Sequence, residues 1–357
     1  MSNSLLERLM AAQTDEERSW IVTESLLISL PSNVATALWA VAIPHWFDAE
    51  ILTALCPELA HRAEEIYQQL QAISCVEVFP ERGHNVHEVT RNQLLDQLWK
   101  DNPEHFRELS GRAAAYFARS DQPEMQIERI YHLVIAEPTN ENSELFNLAQ
   151  SWSNNYRKVE VESLILNLQQ HIAANRVTVA VKAETNYWDG KIKSRFYQAT
   201  EALESYGSAL AFYREIGDRL GEANTLKAIG DVLQFLKRST EALESYGSAL
   251  AFYREIGDRL GEANTLQAIA ILEEDPLIGL ASSQAALNLY IEIGDKYSQG
   301  RNLILFTSEL QLKLGQKDEA ISSLIRAAEL GREIDYEVMI DYANQKIAAI
   351  NGGSQGE

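Results

Sequence analysis

The chain contains 357 residues, and 46% of them are hydrophobic, which is an ordinary content for a globular protein. At roughly 150 residues per domain, this length predicts about two domains. The 52 acidic residues outnumber the 31 basic ones, which gives a net charge of −21. Most of this surface would repel a phosphate polyanion, so non-specific binding to nucleic acid is not expected.

Cysteine usage and hydropathy bear on the compartment. The two cysteines, Cys56 and Cys75, are too few for a disulfide framework in a chain of this length, which favours a reducing compartment. Residues 1–31 contain no basic segment followed by an apolar core, and the sequence has no run of about 18 apolar residues. We therefore expect a cytoplasmic protein that is neither secreted nor inserted in a membrane.

Two amphipathic helices are predicted within residues 1–32, and we expect them to pack on the domain that follows. Residues 33–120 form that domain and carry a different order of signals. These are an apolar helix closed by Pro44, a helix that begins near Phe47, a third helix from about Leu59 to Ile73, a strand at 75–79, a turn at 80–83, a return strand at 85–86 and a helix that reaches Trp99.

This order of helices and hairpin resembles a winged helix. The runs FDAEILTAL at 47–55, VEVF at 76–79, HEVTR at 87–91 and FRELSGRAAAYF at 106–117 are similar to the winged-helix segment of STAND-type signalling NTPases. In that family a helical sensor array follows the winged helix, so the resemblance implies such an array in the second half of this chain.

A winged helix suggests DNA binding, and the charge of the third helix bears on that possibility. The third helix carries one permanent positive charge, on Arg62, and two negative charges, on Glu64 and Glu65, while His61 is neutral at pH 7. This balance would not favour contact with DNA phosphates. We therefore favour a winged helix that docks on protein.

Residues 121–194 are predicted to be a helical bridge of atypical, repeat-like hairpins, with helical spacing at 145–150 and 159–168 and a loop at 136–142. When the chain is divided into residues 1–150, 151–200 and 201–357, basic residues outnumber acidic ones in 151–200 alone. The basic residues there are Arg157, Lys158, Arg176, Lys182, Lys191, Lys193 and Arg195. We interpret them as a solvated helix surface, not as a nucleic-acid patch.

The clearest signal is an internal repeat. Residues 200–226 and 240–266 are identical at an offset of 40 residues, and degenerate copies follow at 288–303 and 315–330. Each unit is predicted to be a helical hairpin whose second helix starts after an N-cap at Thr240 and ends at Gly257. Its apolar stripe consists of Ala242, Tyr246, Ala249, Leu250 and Tyr253.

These units resemble the tetratricopeptide repeat. The large and small positions of that family's pattern fall on Leu226, Ile229, Gly230, Leu233, Ala242, Tyr246 and Ala249. The resemblance implies a mainly α protein in which residues 195–350 form a right-handed solenoid of antiparallel helix pairs, with residues 351–357 as a disordered tail. Two departures are the 40-residue period and Glu273, which replaces Leu233 and predicts a shortened third hairpin.

The concave surface of such a solenoid is lined by the first helix of each hairpin, so we expect a partner to bind there. The polar residues predicted to face it are Asn224, Lys227, Asp231, Gln234, Asn264, Gln267, Arg301 and Asn302. Members of the family that grip a terminal carboxylate use paired lysines and asparagines. We predict no carboxylate clamp here, because Asp231 would repel such a ligand.

The sequence lacks a GxxxxGK[ST] phosphate-binding loop, so nucleotide binding of the STAND type is not expected. The chain would be either a fragment of a larger multidomain protein or a protein-interaction component that acts with a separate NTPase in trans. The presence of Met1 favours the separate component. His84 and His87 are too few to hold a metal, and Cys56 and Cys75 belong to no recognisable catalytic arrangement. We predict no catalytic, cofactor-binding or metal-binding residue, and no enzyme.

The leading hypothesis is a non-catalytic scaffold or adaptor that binds a peptide or helix of a partner protein in the groove of the array. One alternative is a sensor or regulatory component of a STAND-like NTPase signalling system. A second alternative is a winged-helix regulator that binds DNA, which the acidic third helix disfavours.

Overall fold

Helices make up most of the chain that the computed structural model describes, which is residues 5–137 and 143–352. By their contacts the elements divide into two units, Met1–Thr185 and Asn186–Glu357. Within the described ranges, no helix combines the length and the apolar character needed to cross a membrane.

Over the described residues 5–137 and 143–185, the first unit is helical apart from one hairpin. Its elements are α1 (Leu5–Ala11), α2 (Asp15–Ser29), α3 (Ser32–Val41), α4 (Ala49–Leu55), a 3-10 helix (Pro57–Arg62), α5 (Ala63–Gln71), β1 (Val76–Phe79), β2 (Gly83–Val86), α6 (Glu88–Asp101), α7 (Pro103–Phe117), α8 (Pro123–Ala136), α9 (Ser143–Asn154) and α10 (Lys158–Ala173). The next helix, α11 (Val179–Arg195), contains the boundary between the two units.

Strands β1 and β2 pair antiparallel from Val76 opposite Val86 to Phe79 opposite Gly83. An isolated bridge joins Phe47 to His84, next to this hairpin. Gly83 is required here, because its φ is +92° and a Cβ at this position would lie 2.5 Å from the carbonyl oxygen of Phe47. The predicted order of three helices, hairpin and helix is therefore present.

The predicted third helix differs from the observed one. Instead of one helix from Leu59 to Ile73, the chain forms a 3-10 helix that begins at Pro57 and then α5, which begins at Ala63. The cause is the backbone at Arg62, where φ −128° and ψ 13° leave the helical region and interrupt the hydrogen-bond ladder.

As far as residue 352, where the described part of the chain ends, the second unit continues with helices only. They are α12 (Ala199–Ile216), α13 (Arg219–Phe235), α14 (Ser239–Ile256), α15 (Arg259–Leu272), α16 (Pro276–Ile293), α17 (Lys296–Asn302), a π-helical turn (Leu303–Thr307), α18 (Ser308–Lys313), α19 (Lys317–Glu333) and α20 (Glu337–Gly352). Helices that are neighbours in sequence pack against each other along the unit, as in a solenoid of helix pairs.

The Ile-Gly-Asp sequence builds the turn between successive hairpins. Gly217 and Gly257 end α12 and α14 with φ of 73° and 74°, in the left-handed region that glycine adopts without strain. The next residue starts the following helix, since Asp218 and Asp258 each accept a 2.9 Å hydrogen bond from a backbone N–H three residues on. The predicted helix end at Gly257 is confirmed.

Glycine and tyrosine set the distance between the helices of a hairpin. A Cβ on Gly230 would lie 2.5 Å from Cε1 of Tyr246, and one on Gly190 would lie 2.6 Å from Cδ1 of Tyr206. Both rings are buried, with at most 2% of their surface exposed. The predicted core position of both tyrosines is therefore confirmed.

The predicted N-cap at Thr240 is wrong. Helix α14 begins at Ser239, and the cap position is held by Arg238, whose guanidinium bonds to Glu241 instead of capping the helix. The reason is a tight turn at the end of α13, where Lys237 has φ 60° and the N–H of Arg238 donates to the carbonyl of Leu233.

The third hairpin is shortened as predicted. Helix α15 has 14 residues, whereas its counterpart α13 has 17. It ends at Leu272, and Asp275 caps α16 by accepting a 2.8 Å hydrogen bond from the N–H of Leu277.

The predicted tail at 351–357 and the predicted loop at 136–142 both lie partly outside the described residues. Asn351 and Gly352 belong to α20, so the predicted disordered tail is wrong at these two residues, while residues 353–357 lie outside the described residues. Of the predicted loop at 136–142, residues 138–142 lie outside the described part of the chain.

Candidate ligand-binding groove

The first helices of successive hairpins, α11, α13 and α15, place polar side chains around one cavity of about 280 Å³ in the second unit. We call this cavity the polar subsite. Its lining side chains include Tyr187, Lys191, Asn224, Lys227, Asp231, Tyr253, Asp258, Leu260 and Asn264. Four of the eight predicted partner-binding residues, Asn224, Lys227, Asp231 and Asn264, are thereby brought together.

A tyrosine from the second helix of the same hairpin fixes the orientation of each asparagine. The hydroxyl of Tyr253 donates to Oδ1 of Asn224 at 2.7 Å, and the hydroxyl of Tyr290 donates to Oδ1 of Asn264 at 2.8 Å. Burial, offset in part by Arg301, raises the pKa of Tyr290 to about 12, and burial likewise raises the pKa of Tyr253, so both remain neutral donors. With each carbonyl oxygen occupied, the amide N–H groups are directed away from the tyrosine.

Lys227 and Asp231 form an ion pair one helical turn apart, with Nζ 2.8 Å from Oδ2. The hydroxyl of Tyr246 lies 2.8 Å from Oδ1 of Asp231 and 2.9 Å from Oε1 of Gln234, within hydrogen-bond distance of both. Burial, followed by the nearby charge of Asp231, raises the pKa of Tyr246. Asp231 is therefore held in place, and much of the charge of Lys227 is balanced within the protein.

The remaining predicted residues are placed differently. Gln267 is 4% exposed, its Oε1 accepts a hydrogen bond from Arg301 at 2.7 Å, and its Nε2 has no hydrogen-bond partner among the described residues. Asn302 is fully buried, and its Oδ1 accepts hydrogen bonds from Ser283 and Thr307. The expectation that Asn302 faces a ligand is therefore not supported by its position.

The physical reason is helical register. Counting from the Gly-Asp turn, Arg301 is the counterpart of Asn264 and Asn302 is the counterpart of Thr265, which is also fully buried. Successive residues of a helix point about 100° apart, so Arg301 is exposed while its neighbour faces the core.

The sequence prediction missed Tyr187 and Lys191, which line the polar subsite from α11. Nζ of Lys191 lies 5.3 Å from the ring centre of Trp188 and 5.5 Å from that of Tyr187. Both lining residues could have been found by applying the 40-residue period backwards, because Tyr187 is the counterpart of Lys227 and Lys191 is the counterpart of Asp231.

The first unit holds a buried cluster that the sequence did not reveal. Nδ1 of His45 lies 2.5 Å from Oε1 of Glu128, and Nε2 of His132 lies 3.4 Å from the other carboxylate oxygen. Burial alone would raise the pKa of Glu128, but the two histidines outweigh it and hold that pKa well below its ordinary range. The buried Arg91 donates to the carbonyls of Ile43 and Pro44.

This cluster borders a cavity of about 590 Å³ that His45, Arg91 and Arg176 help to line. Arg176 was interpreted as part of a solvated helix surface, but it is only 8% exposed and pairs with Asp96. Its interpretation as a solvated residue is wrong, because the guanidinium also lies over the ring of Phe106. Glu128 pairs with His45 and Arg176 pairs with Asp96, whereas Nε2 of His132 and Nε of Arg176 have no hydrogen-bond partner among the described residues.

The comparisons with known proteins agree with the repeat geometry. The profile of the tetratricopeptide repeat family matches residues 197–255, which cover α12, α13 and most of α14. The second unit is thus a tetratricopeptide-like solenoid of helix pairs. No curated protein matches the chain in sequence.

Among solved structures, the chain is similar to a Signal Transduction ATPase with Numerous Domains (STAND) protein with a tetratricopeptide repeat sensor from Pyrococcus horikoshii. The identity is 14% and the TM-score 0.53, and the match covers 99% of this chain and 65% of that one. The chain therefore spans less than two thirds of the STAND protein, and the likeness concerns the fold. BtubC (BKLC) from P. vanneervenii matches at 13% identity and a TM-score of 0.38, over 72% of this chain and 93% of that one.

Proposed function

We propose that this chain is a non-catalytic, cytoplasmic interaction protein whose repeat array binds an extended peptide segment of a partner protein. The observation that carries the proposal is the polar subsite, where Asn224 and Asn264 present oriented amide groups from two successive first helices. Tetratricopeptide repeats, which match residues 197–255, generally mediate protein–protein interaction and support this reading.

The chemistry of the polar subsite suits a peptide backbone. An extended chain offers carbonyl oxygens at regular intervals, and the amide donors of Asn224 and Asn264 repeat from one first helix to the next. Asp231 balances the charge of Lys227, and the carboxylate of Asp258 also lines the cavity. The site is therefore suited to the peptide backbone and not to a terminal carboxylate.

A second candidate is a sensor or regulatory component of a STAND-like system that acts on an NTPase partner in trans. The specific observation that favours it is the structural match to a STAND protein with a tetratricopeptide repeat sensor, which extends over 99% of this chain. In this reading the array binds the signal, and the first unit contacts the NTPase.

For residues 33–120 we infer a winged helix that docks on protein. The order of α3, α4 and α5, the β1–β2 hairpin and the bridge between Phe47 and His84 support this assignment. DNA binding is the weaker alternative. Arg62, the permanently charged base of the predicted third helix, already pairs with Glu65 at 2.7 Å, which weakens its attraction to a phosphate.

The test is selection of a phage-displayed library of random 12-residue peptides on the full chain, followed by calorimetric titration of the enriched peptides. We expect the Asn224→Ala, Asn264→Ala double variant to bind them about thirtyfold more weakly, since each of the two hydrogen bonds contributes about 1 kcal/mol. Asn288→Ala is the matched control, because Asn288 is exposed on α16, outside the polar subsite. If no peptide is enriched, or if the double variant binds as tightly as the parent, the proposed function is wrong.

A further inference from the structure

The array has a second opening, of about 210 Å³, between α17 and α20. We call it the aromatic subsite. It is lined by Tyr297, Arg301, Ile304, Leu305, Tyr336, Val338, Met339 and Tyr342.

Five of its seven apolar and aromatic side chains are exposed, unlike those of the repeat core, while Ile304 and Met339 are buried. Val338 is 64% exposed, and Tyr297 and Tyr342 are 46% and 45% exposed, whereas Tyr246 and Tyr290 are fully buried. The rings of Tyr297 and Tyr336 meet edge to face with centroids 5.6 Å apart. Both rings line the same concave opening. Clustered exposed apolar side chains mark binding surfaces, and tyrosine, methionine and arginine are the residues enriched there.

Arg301 connects this opening to the proposed groove. It is the counterpart of Asn224 and Asn264 when the hairpins are counted from their Gly-Asp turns, and its guanidinium donates to Oε1 of Gln267 on α15 at 2.7 Å. One row of equivalent positions on the first helices therefore leads from the polar subsite to the aromatic subsite.

The charge of Arg301 indicates what the neighbouring ligand group must be. In the part of the chain that the structure describes, Arg301 bonds to a neutral amide and no carboxylate pairs with it. Two cations near this opening are paired within the protein, Lys296 with Glu333 and Lys346 with Glu309. Arg301 thus brings an unbalanced positive charge to the edge of an apolar opening.

We propose that the aromatic subsite receives one large apolar side chain, aromatic or branched aliphatic, of the partner peptide, and that an acidic residue next to it contacts Arg301. The opening is smaller than the 300–1,000 Å³ typical of small-molecule pockets, which fits a single side chain better than a drug-sized ligand or a whole helix. This inference rests on the proposed function, because it places a second contact of the same peptide further along the array.

The test repeats the selection of random 12-residue peptides on four forms of the full chain: the parent, Val338→Glu, Arg301→Gln and Ile325→Glu. Val338→Glu places a carboxylate at the mouth of the opening. Ile325→Glu is the matched control, because Ile325 is exposed on α19 and does not line the opening. Tyr342→Ala is a second variant of the opening should Val338→Glu be destabilised in thermal melting.

We expect the parent and Ile325→Glu to enrich peptides in which a Phe, Tyr, Trp, Leu or Ile lies beside an Asp or Glu. Such peptides should bind Val338→Glu and Tyr342→Ala about tenfold more weakly or worse, as for other anchor side chains in pockets. Arg301→Gln should keep the apolar preference and lose the acidic one.

Several outcomes would overturn the inference. Peptides without an apolar anchor that still depend on Asn224 and Asn264 would refute the aromatic subsite and leave the proposed function standing. The same holds if Val338→Glu selects the same anchor as the parent. A dimeric parent that Val338→Glu converts to a monomer in sedimentation would show that a second copy of the chain covers this surface. A library that yields no peptide at all refutes both proposals.

Discussion

At the scale of single residues, small side chains matter as much as large ones in this array. Gly230 allows Tyr246 to lie against α13, and Tyr246 then reaches Asp231 and Gln234 with its hydroxyl. The same ring that fills the space between two helices therefore also holds a side chain of the polar subsite. Packing and site geometry depend on one contact.

Two glycines of neighbouring helices give a matched test of this contact. Gly230→Ala should lower the free energy of unfolding by about 1 to 3 kcal/mol, because its Cβ would lie 2.5 Å from the Tyr246 ring. Gly247→Ala should raise it by about 0.5 to 1 kcal/mol, because nothing lies within 4 Å of that Cβ and alanine favours a helix. Urea unfolding of both variants measures the difference, and equal effects would contradict the close packing.

At the scale of elements, the exact repeat makes the helical hairpin a module. Residues 200–226 and 240–266 are identical, so α12 and α14 end in the same turn and meet the same first half of the following helix. The two copies diverge after Leu226 and Leu266, where Lys227 and Gln267 follow. The identical parts therefore supply the stacking contacts and the repeated asparagines Asn224 and Asn264, while the divergent parts make successive sections of the groove differ.

This modularity predicts that the array tolerates loss of one period. Deletion of residues 227–266 joins Leu226 to Gln267 in register, and we expect a folded chain with proportionally less helical circular dichroism and a lower free energy of unfolding, because one interface between hairpins is lost. Deletion of residues 227–246 removes half a period and is the control, which we expect not to fold cooperatively. Loss of cooperative unfolding in the 40-residue deletion would contradict the module.

At the scale of the whole molecule, the two units differ in their buried ionisable groups. The first unit buries His132 and His171, and for both burial lowers the pKa, for His171 far below the ordinary 6.5. Neither ring nitrogen of His171 has a hydrogen-bond partner among the described residues, and Arg91, Arg176, His45 and His132 oppose its charging. Its neutral ring stacks on Tyr131 instead, with centroids 3.9 Å apart.

A histidine whose folded pKa is depressed stabilises the fold above its unfolded pKa, and that contribution decreases as the pH falls below about 6.5. The depressed pKa of Glu128 acts in the same direction at lower pH. We therefore expect acidification from pH 7.5 to 5.5 to reduce hydrogen-exchange protection of α8 and α10 more than that of α13 and α14, after correction for intrinsic exchange rates.

A substitution isolates the buried ring. His171→Phe keeps the stacking on Tyr131 and removes the titrating group, so the acid sensitivity of α8 and α10 should decrease. The control is His61→Gln, because His61 is exposed on the 3-10 helix and its loss should leave the sensitivity unchanged. Equal sensitivity in His171→Phe and the parent would contradict the assignment.

Local sequence was sufficient for features that depend on neighbours in the chain. The identical 27-residue copies, the Ile-Gly-Asp turns and the glycine–tyrosine spacing predicted the helical hairpins and the buried Tyr206 and Tyr246, because turn chemistry and helical periodicity are local. The same period located Asn224 and Asn264 in the polar subsite. The 40-residue period did not remove Asn302 from the predicted site. The buried register of Asn302 is recognised only when the Gly294-Asp295 turn of the degenerate copy is aligned with the Gly257-Asp258 turn.

Only the tertiary structure decided which distant residues meet. His45, Glu128 and His171 lie on separate elements, and no spacing in the sequence relates them, so their cluster appears only when α8 and α10 pack beside the end of α3. The aromatic subsite likewise joins Tyr297, in the degenerate copy at 288–303, to Tyr342 on α20, which lies beyond the last copy recognised in the sequence. The sequence by itself determined the repeating unit, through local hydrogen bonds and periodicity, whereas long-range packing determined the cavities and the charges that face them.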